Sequence, residues 1–419
     1  MNEMKVITKH FDLINPLSIE DYIKYEGYKN LKKALKMSRI KIIEEVEASY
    51  LRGRGGAGFP THIKMMGLAK EKKLPKYIIC NADEGEPGNF KDRAILEKDP
   101  FSVIEGMTIV AYATGATKGI IYIRGEYIEA IKIMKNCIKE ATKTNLLGDK
   151  ILGEEFNFSV EVRSGAGSYV CGEEFALIES IEGKPGRTRI KPPFPTEKGV
   201  FNQPTMISNV ETYANIPYIV EITGKEFRKI GTPSSCGTKL ISLSGNVNKP
   251  GVYEVPFGVT IRSVIEELGE GIVEGRNIKM VQLGGSCGPI IPEYMLDMII
   301  DFERFEEFES KTASGAIIVI DERFDLFFIL KKTILFFEHE SCGKCVPCRE
   351  GHAQLLNIIE KFINRTASAK DLDSLESLAR VMHQTSLCGL GQSSPTAIIS
   401  TIRFFRDEFL DRIDHPVSL

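Results

Sequence analysis

The stretch "KYIICNADEGEPGNFKDR", residues 76–93, decides the fold class of this chain. Its first part, Tyr77 to Cys80, is a short apolar run typical of a buried strand, and an acidic loop follows at once. Open α/β sheets bind their ligands at the carboxyl ends of their strands. We therefore expect a strand that ends in a ligand site, with the polar side chains of Asn81, Asp83, Glu84 and Glu86.

A glycine-rich segment precedes this strand: "LRGRGGAGFP", residues 51–60. Gly53, Gly55 and Gly58 match the spacing G-x-G-x-x-G, but the residues before them have a helical pattern, so a standard Rossmann turn is not supported. Bare backbone, followed by a helix that Pro60 opens, favours an anionic ligand. A mobile turn without a ligand is the alternative for this segment taken alone.

Two later segments add polar groups of the same kind. "GAGSYVCGEEFALIESIEGKPG", residues 165–186, places Glu173 and Glu174 at the start of a predicted helix. Carboxylates there either complement the helix dipole or accept hydrogen bonds from a ribityl chain or a ribose. "KPPFP", residues 191–195, exposes Phe194 between prolines, and "ISNVETYAN", residues 207–215, is an amide-rich helix start. Together these segments predict a nucleotide-shaped site.

The composition is that of a soluble globular protein. The 419 residues are 42% hydrophobic and 26% charged, which at ~150 residues per domain suggests two or three domains. A net charge of −3 argues against nucleic-acid binding. The chain has neither an apolar run of ~18 residues nor the pattern of a secretory signal at its N-terminus. We therefore expect no membrane insertion and a cytoplasmic location, in solution or at the cytoplasmic face of a membrane complex.

Three cysteines at intervals of three occur in "HESCGKCVPCREGH", residues 339–352: Cys342, Cys345 and Cys348. The next cysteine along the chain is Cys388. Three close thiolates and one remote thiolate are a common way to hold a 4Fe–4S cluster. A structural zinc site is the first alternative, although zinc favours two Cys-x2-Cys pairs, and a disulfide is the second.

Other residues near the cysteine run have simpler explanations. The nearby histidines are interpreted as surface or core residues rather than ligands: His339, His352 and His383. The five remaining cysteines are too dispersed for a second cluster and are interpreted as buried small apolar residues: Cys80, Cys137, Cys171, Cys236 and Cys287. Apolar residues repeat at three and four in the segments 321–340, 349–366, 371–384 and 394–413. This pattern predicts about four helices, enough for a bundle around the cysteines.

Taken in chain order, these motifs resemble one family. The segments are "LRGRGGAGFP", "NADEGEPGNFKDR", "CGEE", "KPPFP", "NVET", "ESCGKCVPCREG" and "LCGLG". The set resembles the NADH-binding, FMN-containing iron–sulfur subunit of respiratory complex I. It also resembles the soluble relatives of that subunit, the diaphorase subunits of NAD-linked hydrogenases and formate dehydrogenases. The resemblance covers the chain from about Glu44 to Ile413.

The resemblance implies an α/β fold in three parts. A Rossmann-like FMN-binding domain would occupy residues 1–234, and a β-grasp (ubiquitin-like) domain residues 235–322. A C-terminal helical bundle carrying the 4Fe–4S cluster would occupy residues 323–419. The change to short strands near Ser235 and to a helical pattern near Arg323 agrees with this division.

The resemblance also implies roles for single residues. FMN would be surrounded by Gly53, Gly55, Gly56, Lys64, Asn81, Asp83, Glu84, Tyr169, Gly172, Glu173, Asn209 and Thr212. NADH would be bound by Ala57, Phe59, Glu86, Glu174, Lys191 and Phe194. The cluster would be ligated by Cys342, Cys345, Cys348 and Cys388.

The implied chemistry is hydride transfer from NADH to FMN, followed by single-electron transfer through the cluster. The cofactors perform these steps while the protein aligns them, so no side chain is expected to act as a general acid or base. Glu86 would approach the nicotinamide, and the rings of Phe59 and Phe194 would border NADH. Glu174 would accept from the adenosine ribose and repel a 2′-phosphate, which predicts that NADPH is a poor substrate.

Several positions depart from the complex I members of the family. Gly85 and Ser208 replace the usual serine and asparagine, His62 replaces a glycine, and Gly67 replaces an aromatic residue that often contacts NADH. The C-terminal part is more similar to the soluble diaphorases. We therefore expect a soluble hydrogenase- or formate dehydrogenase-type complex, with complex I as the alternative and a non-catalytic structural homologue as the third possibility. The expected partners are NADH, a thioredoxin-like 2Fe–2S subunit and further iron–sulfur subunits.

Overall fold

A computed structural model describes residues 3–308 and 314–413 of the chain. The outer ends of the predicted ranges 1–234 and 323–419, at 1–2 and 414–419, lie outside the described residues. So do residues 309–313 within the predicted range 235–322.

Strands and helices alternate in the first half of the chain, and helices fill the last quarter. The described strands are β1 (Tyr77–Ala82), β2 (Lys118–Ile123), β3 (Ser159–Ser164), β4 (Thr205–Asn209), β5 (Thr238–Gly245), β6 (Gly251–Pro256), β7 (Ile278–Leu283), β8 (Ile290–Pro292) and β9 (Ala316–Asp321). The described α-helices are α1 (Ile19–Lys24), α2 (Lys29–Ala34), α3 (Arg39–Ala48), α4 (Thr61–Lys70), α5 (Lys91–Lys98), α6 (Pro100–Thr114), α7 (Ile128–Lys143), α8 (Glu174–Ile181), α9 (Pro195–Lys198), α10 (Val210–Ile222), α11 (Gly224–Phe227), α12 (Ile261–Ser263), α13 (Phe302–Glu306), α14 (Leu326–Glu340), α15 (Val346–Ile363), α16 (Ala369–Thr385), α17 (Gly389–Ser393), α18 (Thr396–Phe404) and α19 (Arg406–Ile413).

The first sheet is parallel, with the strand order β3-β2-β1-β4. Successive side chains of β1 point to opposite faces, and both faces are covered. Ile78 and Cys80 pack into the same apolar core as α6, whereas Ile79 packs with Phe175 and Ile178 of α8. The sequence "YIICNA" is therefore apolar without alternation because helices bury it from both sides, and the predicted strand is confirmed.

The strand order places a topological switch beside β1. The chain leaves β1 through α5 and α6 to reach β2 on one side, while β4 pairs with β1 on the other side. Asn81 and Asn209 face each other in this pairing, at the carboxyl ends of their strands. Open α/β sheets bind ligands in the crevice at such a point.

The second sheet is mixed, with the strand order β6-β5-β9-β7-β8. Its first and last strands in the chain, β5 and β9, pair in parallel at the centre of the sheet, and the other pairs are antiparallel. The helical segment after β6 packs Ile261, Val264 and Ile265 against the sheet. This is the β-grasp arrangement. The N-terminal segment reaches across to it, since Glu254 on β6 accepts hydrogen bonds at 2.9–3.0 Å from the backbone N–H groups of residues 6–8.

Helices α14 to α19 form the C-terminal part around one apolar core. At its centre, the ring of Phe327 lies 5.4 Å from that of Phe362 and 4.9 Å from that of Phe409. The prediction of one helix over 394–413 is wrong, because the chain turns at Phe405, where φ is −125° and ψ is 30°. The break forms the separate helices α18 and α19, and it lets Phe409 pack back against α14 and α15. Within 3–308 and 314–413, every helix is too short or too polar to cross a membrane.

Candidate functional site

The glycine loop lies directly over the switch point. A Cβ atom added to Gly55 would lie 3.1 Å from the Cβ of Asn209, so the loop approaches the end of β4 more closely than a side chain would permit. The backbone N–H of Arg54 donates to Thr212 Oγ1 on α10 at 2.9 Å, and that of Gly53 donates to the carbonyl of Phe59 at 2.9 Å. Two glycines adopt positive φ angles, 123° at Gly56 and 60° at Gly58. The loop is thus held in place by its backbone.

The amides at the strand ends connect the loops of the site. Asn81 donates to the carbonyl of Gly172 at 2.8 Å and accepts from the backbone N–H of Asp83 at 3.1 Å. Asn209 caps α10 and donates to Asp92 at 2.6 Å. The structure therefore brings the acidic loop after β1, the loop before α8 and the start of α10 together, as the sequence predicts.

The three acidic side chains after β1 have different surroundings. Glu84 accepts from the first backbone N–H groups of α5 at 3.0 Å and from Tyr127 at 3.1 Å, so its carboxylate caps that helix. Glu86 accepts from the Tyr169 hydroxyl at 2.5 Å and from the backbone N–H of Cys287 at 3.2 Å. Burial raises the pKa of each of these two carboxyl groups to about 7.

Asp83 lacks such partners on one side. Its Oδ2 atom is buried and has no hydrogen-bond partner among residues 3–308 and 314–413. Burial raises the pKa of Asp83 to about 7, although Arg124 opposes this shift. A buried acceptor without a donor is costly, and its position beside the glycine loop suits a donor group of a bound ligand.

Glu174 lies at the centre of an ionic network at the start of α8. Lys64 contacts one of its carboxylate oxygens, and Lys191 contacts the other at 2.9 Å. Burial opposes the negative charge, but the two lysines outweigh it and lower the pKa of Glu174 to about 2. The neighbouring Glu173 is instead the helix cap, accepting from the N–H groups of Phe175 and Ala176 at 3.0 Å.

Two aromatic rings remain exposed beside this network. Phe59 is 47% exposed and Phe194 is 52% exposed, and the ammonium group of Lys64 lies 5.8 Å from the centre of the Phe59 ring. Ala57 and Gly55 are also exposed at the tip of the glycine loop. Large exposed apolar side chains at the edge of a crevice are typical of a surface that binds a flat ligand.

Four cysteines gather below the site, at the end of the helical bundle. Cys342, Cys345 and Cys388 are half-buried against the apolar cluster that includes the buried Cys348. Burial raises the pKa of the Cys348 thiol to about 11, and the other three thiols add to this shift, which reflects their proximity. The remaining five cysteines are all buried, as the sequence predicts.

Helix N-termini support these thiols. Cys345 and Cys388 are the N-cap residues of α15 and α17, and Cys348 lies in the first turn of α15. The backbone N–H groups of Leu390 and Gly391 donate to Cys388 and favour its thiolate form. The free N–H groups and the dipole of a helix start stabilise a negative sulfur.

A network of buried charges lies under the switch point, and the sequence analysis did not identify it. Glu211 contacts Lys239 at 2.5 Å and Lys91 at 3.0 Å, and Lys91 also contacts Asp92 at 2.6 Å. Burial raises the pKa of Glu211, but Lys239 and Lys91 outweigh this and hold it below its ordinary value. The "KDR" of the first motif and the Glu211 of "NVET" are the signals from which the pair with Lys91 was predictable.

Two other residues were interpreted too simply. Cys287 is buried as predicted, but its sulfur lies 2.7 Å from the hydroxyl of Tyr169, so it belongs to the wall of the site. His352 is a core residue as predicted, but its Nδ1 atom lies 3.9 Å from the sulfur of Cys348. Its position four residues after Cys348, one helical turn away, was a signal for this contact.

The comparisons with known proteins agree with this geometry. Residues 46–218 match the sequence model of the Nuo51 FMN-binding domain. Residues 329–412 match that of the NADH-ubiquinone oxidoreductase-F iron-sulfur binding region. These matches cover the glycine loop, the switch point and the four cysteines.

Two curated relatives extend over almost the whole chain. The NADP-reducing hydrogenase subunit HndC of Solidesulfovibrio fructosivorans is 44% identical, with 98% of this chain and 84% of the relative covered. The second F-type component of the NADH-quinone oxidoreductase of Rhizobium meliloti (strain 1021) is 43% identical, with 98% of this chain and 97% of the relative covered.

A solved NAD+-reducing [NiFe]-hydrogenase, in its H2-reduced state, has the same fold. The TM-score is 0.83 at 36% sequence identity, over 92% of this chain. The chain spans 64% of the length of that hydrogenase chain.

Fold, site and relatives define the class of this protein, an NAD-linked flavin and iron–sulfur oxidoreductase subunit. Its cofactors are FMN and a 4Fe–4S cluster, and NAD(H) is its nicotinamide cofactor. The chain belongs to the family of the F-type components of NADH-quinone oxidoreductases, which includes subunits of the NAD(P)-reducing hydrogenases.

The described residues fit both cofactors. The glycine loop leaves space beside Asn209 that a side chain would fill, and the buried Oδ2 of Asp83 offers an acceptor to a ligand hydroxyl or N–H group. In the part of the chain that the structure describes, no three metal-binding side chains meet at a point that suits a single ion. This argues against the zinc alternative, whereas a cubic cluster takes one thiolate at each of four separate corners.

Proposed function

We propose that this chain is the NADH-oxidising diaphorase subunit of a soluble hydrogenase- or formate dehydrogenase-type complex. The observation that carries the proposal is one continuous apolar cluster between the two sites. It contains Tyr169, Cys171 and Phe175 beside the switch point, and Phe337 and Cys348 at the end of the bundle. Electrons that enter at the flavin therefore have a short, dry path toward the cysteines.

The residues around the switch point would hold and orient FMN. The glycine loop with Gly53, Gly55 and Gly56 would approach the phosphate and the ring, and the amides of Asn81 and Asn209 would contact the ring edge and the ribityl chain. The proposed set is completed by Lys64, Asp83, Glu84, Tyr169, Gly172, Glu173 and Thr212. When bound, FMN supplies hydride acceptance and the cluster supplies one-electron transfer.

NADH would bind against the exposed side of the same crevice. Phe59 and Phe194 would border its rings, Ala57 would leave space for it, and Glu86 would face the nicotinamide. Glu174, oriented by Lys64 and Lys191, would accept from the hydroxyls of the adenosine ribose. The fixed positions of these groups would align the two reacting rings and exclude water.

The cluster ligands would be Cys342, Cys345, Cys348 and Cys388. The helix starts of α15 and α17 would stabilise three of these thiolates. From there electrons would leave to a thioredoxin-like 2Fe–2S subunit and to further iron–sulfur subunits. The proposed location of this assembly is the cytoplasm, either free or at the cytoplasmic face of a membrane complex.

Respiratory complex I is the second candidate for the assembly. The 43% identity with an NADH-quinone oxidoreductase component nearly equals the 44% identity with a hydrogenase subunit. Isolation of the native complex, followed by assays of hydrogen- or formate-dependent NAD+ reduction and of NADH:quinone reduction, separates the two candidates. We expect the first activity, and quinone reduction alone would contradict the soluble complex.

The test of the diaphorase function is an anaerobic titration of the FMN- and cluster-loaded protein. NADH is expected to bleach the flavin absorbance and to produce the EPR signal of a reduced cluster, whereas NADPH does so far less. Cys388→Ser is expected to lose the EPR signal while it retains flavin bleaching, and Cys137→Ala, in the core around the parallel sheet, is the control. No response to either nucleotide, with flavin and iron present, would contradict the proposal.

A further inference from the structure

The sulfur of Cys348 belongs to the most buried of the four candidate ligands and has two polar neighbours. The hydroxyl of Ser341 lies at 3.2 Å, and Nδ1 of His352 lies at 3.9 Å. Both distances suit hydrogen bonds to sulfur, which is larger than oxygen. His352 is 1% exposed, so water does not compete for this contact.

The imidazole ring of His352 is held in place on its other sides. Its Nε2 atom lies 2.8 Å from Ser394 Oγ, which is also 3.3 Å from the carbonyl of Gly391. The ring stacks on Phe337, with the centroids 6.1 Å apart and the planes at 14°. Because His352 follows Cys348 by one turn of α15, the helix itself directs Nδ1 toward the sulfur.

The proton on the imidazole is determined by the chemistry of the sulfur. A thiolate that ligates iron has no hydrogen and can only accept a hydrogen bond. A bare Nδ1 lone pair against this sulfur would be repelled, whereas an Nδ1–H group is attracted. Ser394 can meet this requirement, because its hydroxyl is able to donate to Nε2 and so fix the tautomer with the proton on Nδ1.

We propose that His352 donates an N–H···S hydrogen bond to Cys348 and thereby raises the reduction potential of the 4Fe–4S cluster. Ser394 is the positioning residue that orients the ring. Reduction adds negative charge to the cluster and its sulfurs, so a donor to a ligand sulfur stabilises the reduced form more than the oxidised form. The inference rests on the proposed role of Cys348 as a ligand.

The test compares three single variants of the full-length, cluster-loaded protein by EPR-monitored redox titration. His352→Asn keeps an amide nitrogen where Nδ1 lies, and His352→Gln places its amide where Nε2 lies. His383→Gln is the matched control, because Nδ1 of His383 lies 2.8 Å from the carbonyl of Gln392 rather than near a sulfur.

We expect His352→Gln to have a more negative midpoint potential. At a fixed applied potential, its ratio of reduced to oxidised cluster should be roughly threefold to tenfold lower, where tenfold corresponds to about 59 mV for one electron. His352→Asn and His383→Gln should titrate like the unchanged protein. An unshifted potential in a fully loaded His352→Gln variant would overturn the inference.

A measurement on the unchanged protein covers the case in which a variant does not assemble. Pulsed ENDOR of the reduced cluster in 15N-histidine-labelled protein should detect a coupled histidine nitrogen and an exchangeable proton that disappears in D2O. Absence of both couplings would overturn the role of His352 alone. Absence of iron and labile sulfide from the unchanged, reconstituted protein would instead overturn the proposed ligand set, and the inference with it.

Discussion

At the scale of single residues, Glu174 keeps its charge in a confined place because two lysines face it. Lys64 and Lys191 together carry more positive charge than Glu174 neutralises, and Glu173 lies 3.5 Å from Lys191 on the far side. The balance of charge around the adenosine end of the crevice is thus set by one carboxylate. Sequence alone identified Glu174, but the lysine that contacts it from α4 is 110 residues away.

Removal of this charge should relax the preference for NADH over NADPH. In Glu174→Gln, the two lysines lose their partner and attract the 2′-phosphate of NADPH, while the amide still accepts from a ribose hydroxyl. We expect the ratio of kcat/KM for NADPH to that for NADH to rise about tenfold, which is ~1.4 kcal/mol. The control is Glu179→Gln on the same helix, whose carboxylate pairs with Arg189 at 2.5 Å instead. An equal change in the control would show a general effect on α8.

Asp83 should make the flavin-free protein less stable as the pH rises. Its pKa is about 7 in the folded chain against 3.8 in the unfolded chain, so the folded state binds more protons between these values. Stability therefore falls as the pH increases from about 4 to 7, and the loss is complete above 7. Asp83→Asn removes this loss, and we expect it to gain on the order of 2 kcal/mol relative to the unchanged protein at pH 8.

Melting temperatures of both flavin-free proteins at pH 5 and pH 8 test this expectation. The difference between the two proteins should be small at pH 5 and several degrees at pH 8. A constant difference across this range would contradict the assignment of the high pKa to Asp83. Added FMN should reduce the difference, if its donors satisfy the buried Oδ2.

At the scale of elements, the short helix α17 brings the remote cysteine to the other three. It packs closely against α15, since a Cβ atom on Gly391 would lie 3.0 Å from the Cβ of Cys348 and 2.7 Å from the Cβ of Ser386. Gly389, in the same helix, has no atom within 4 Å of such a Cβ in the described part of the chain. The two glycines of "LCGLG" therefore have different physical roles, which the sequence does not distinguish.

The pair of glycines gives a matched test of this packing. Gly391→Ala forces α17 away from α15, and such overpacking costs about 1–3 kcal/mol. We expect a lower melting temperature and less iron per chain after purification. Gly389→Ala should leave both unchanged, or raise stability slightly, because alanine favours a helix. Equal iron contents in the two variants would contradict the close approach of the helices.

At the scale of the whole molecule, buried charges connect the parallel sheet to the β-grasp sheet. Lys239 on β5 reaches Glu211 on α10, and the backbone N–H of Leu240 also donates to Glu211 at 3.0 Å. Burial lowers the pKa of Lys239 to about 7 despite this carboxylate. The network therefore depends on Glu211, which contacts lysines from both parts of the chain.

Loss of Glu211 should therefore be more harmful than loss of Lys239. Glu211→Gln leaves two buried lysines without this partner, and an uncompensated buried charge costs about 3–5 kcal/mol. Lys239→Met removes a charge whose burial is unfavourable, while Lys91 keeps both Glu211 and Asp92. We expect thermal unfolding of Glu211→Gln at a much lower temperature than that of Lys239→Met. The reverse order would contradict the central position of Glu211.

The sequence by itself determined the local features of this protein. An apolar run before an acidic loop predicts a strand with a site at its end, and cysteines three apart predict a cluster, because these signals lie within one short segment. The helix starts at Glu174 and after Asn209 follow from capping residues for the same reason. These features define the parallel sheet, the bundle and most of the residues proposed for the site.

Only the tertiary structure decided how distant segments meet. The contacts of Lys64 with Glu174, of Lys239 with Glu211 and of Cys287 with Tyr169 each join residues from separate parts of the chain. Such contacts leave no periodicity or spacing in the sequence, because they depend on the order of the strands and on the packing of whole elements. Strand order places the site at the switch point, and packing of the bundle against the parallel sheet places the cysteines beside it.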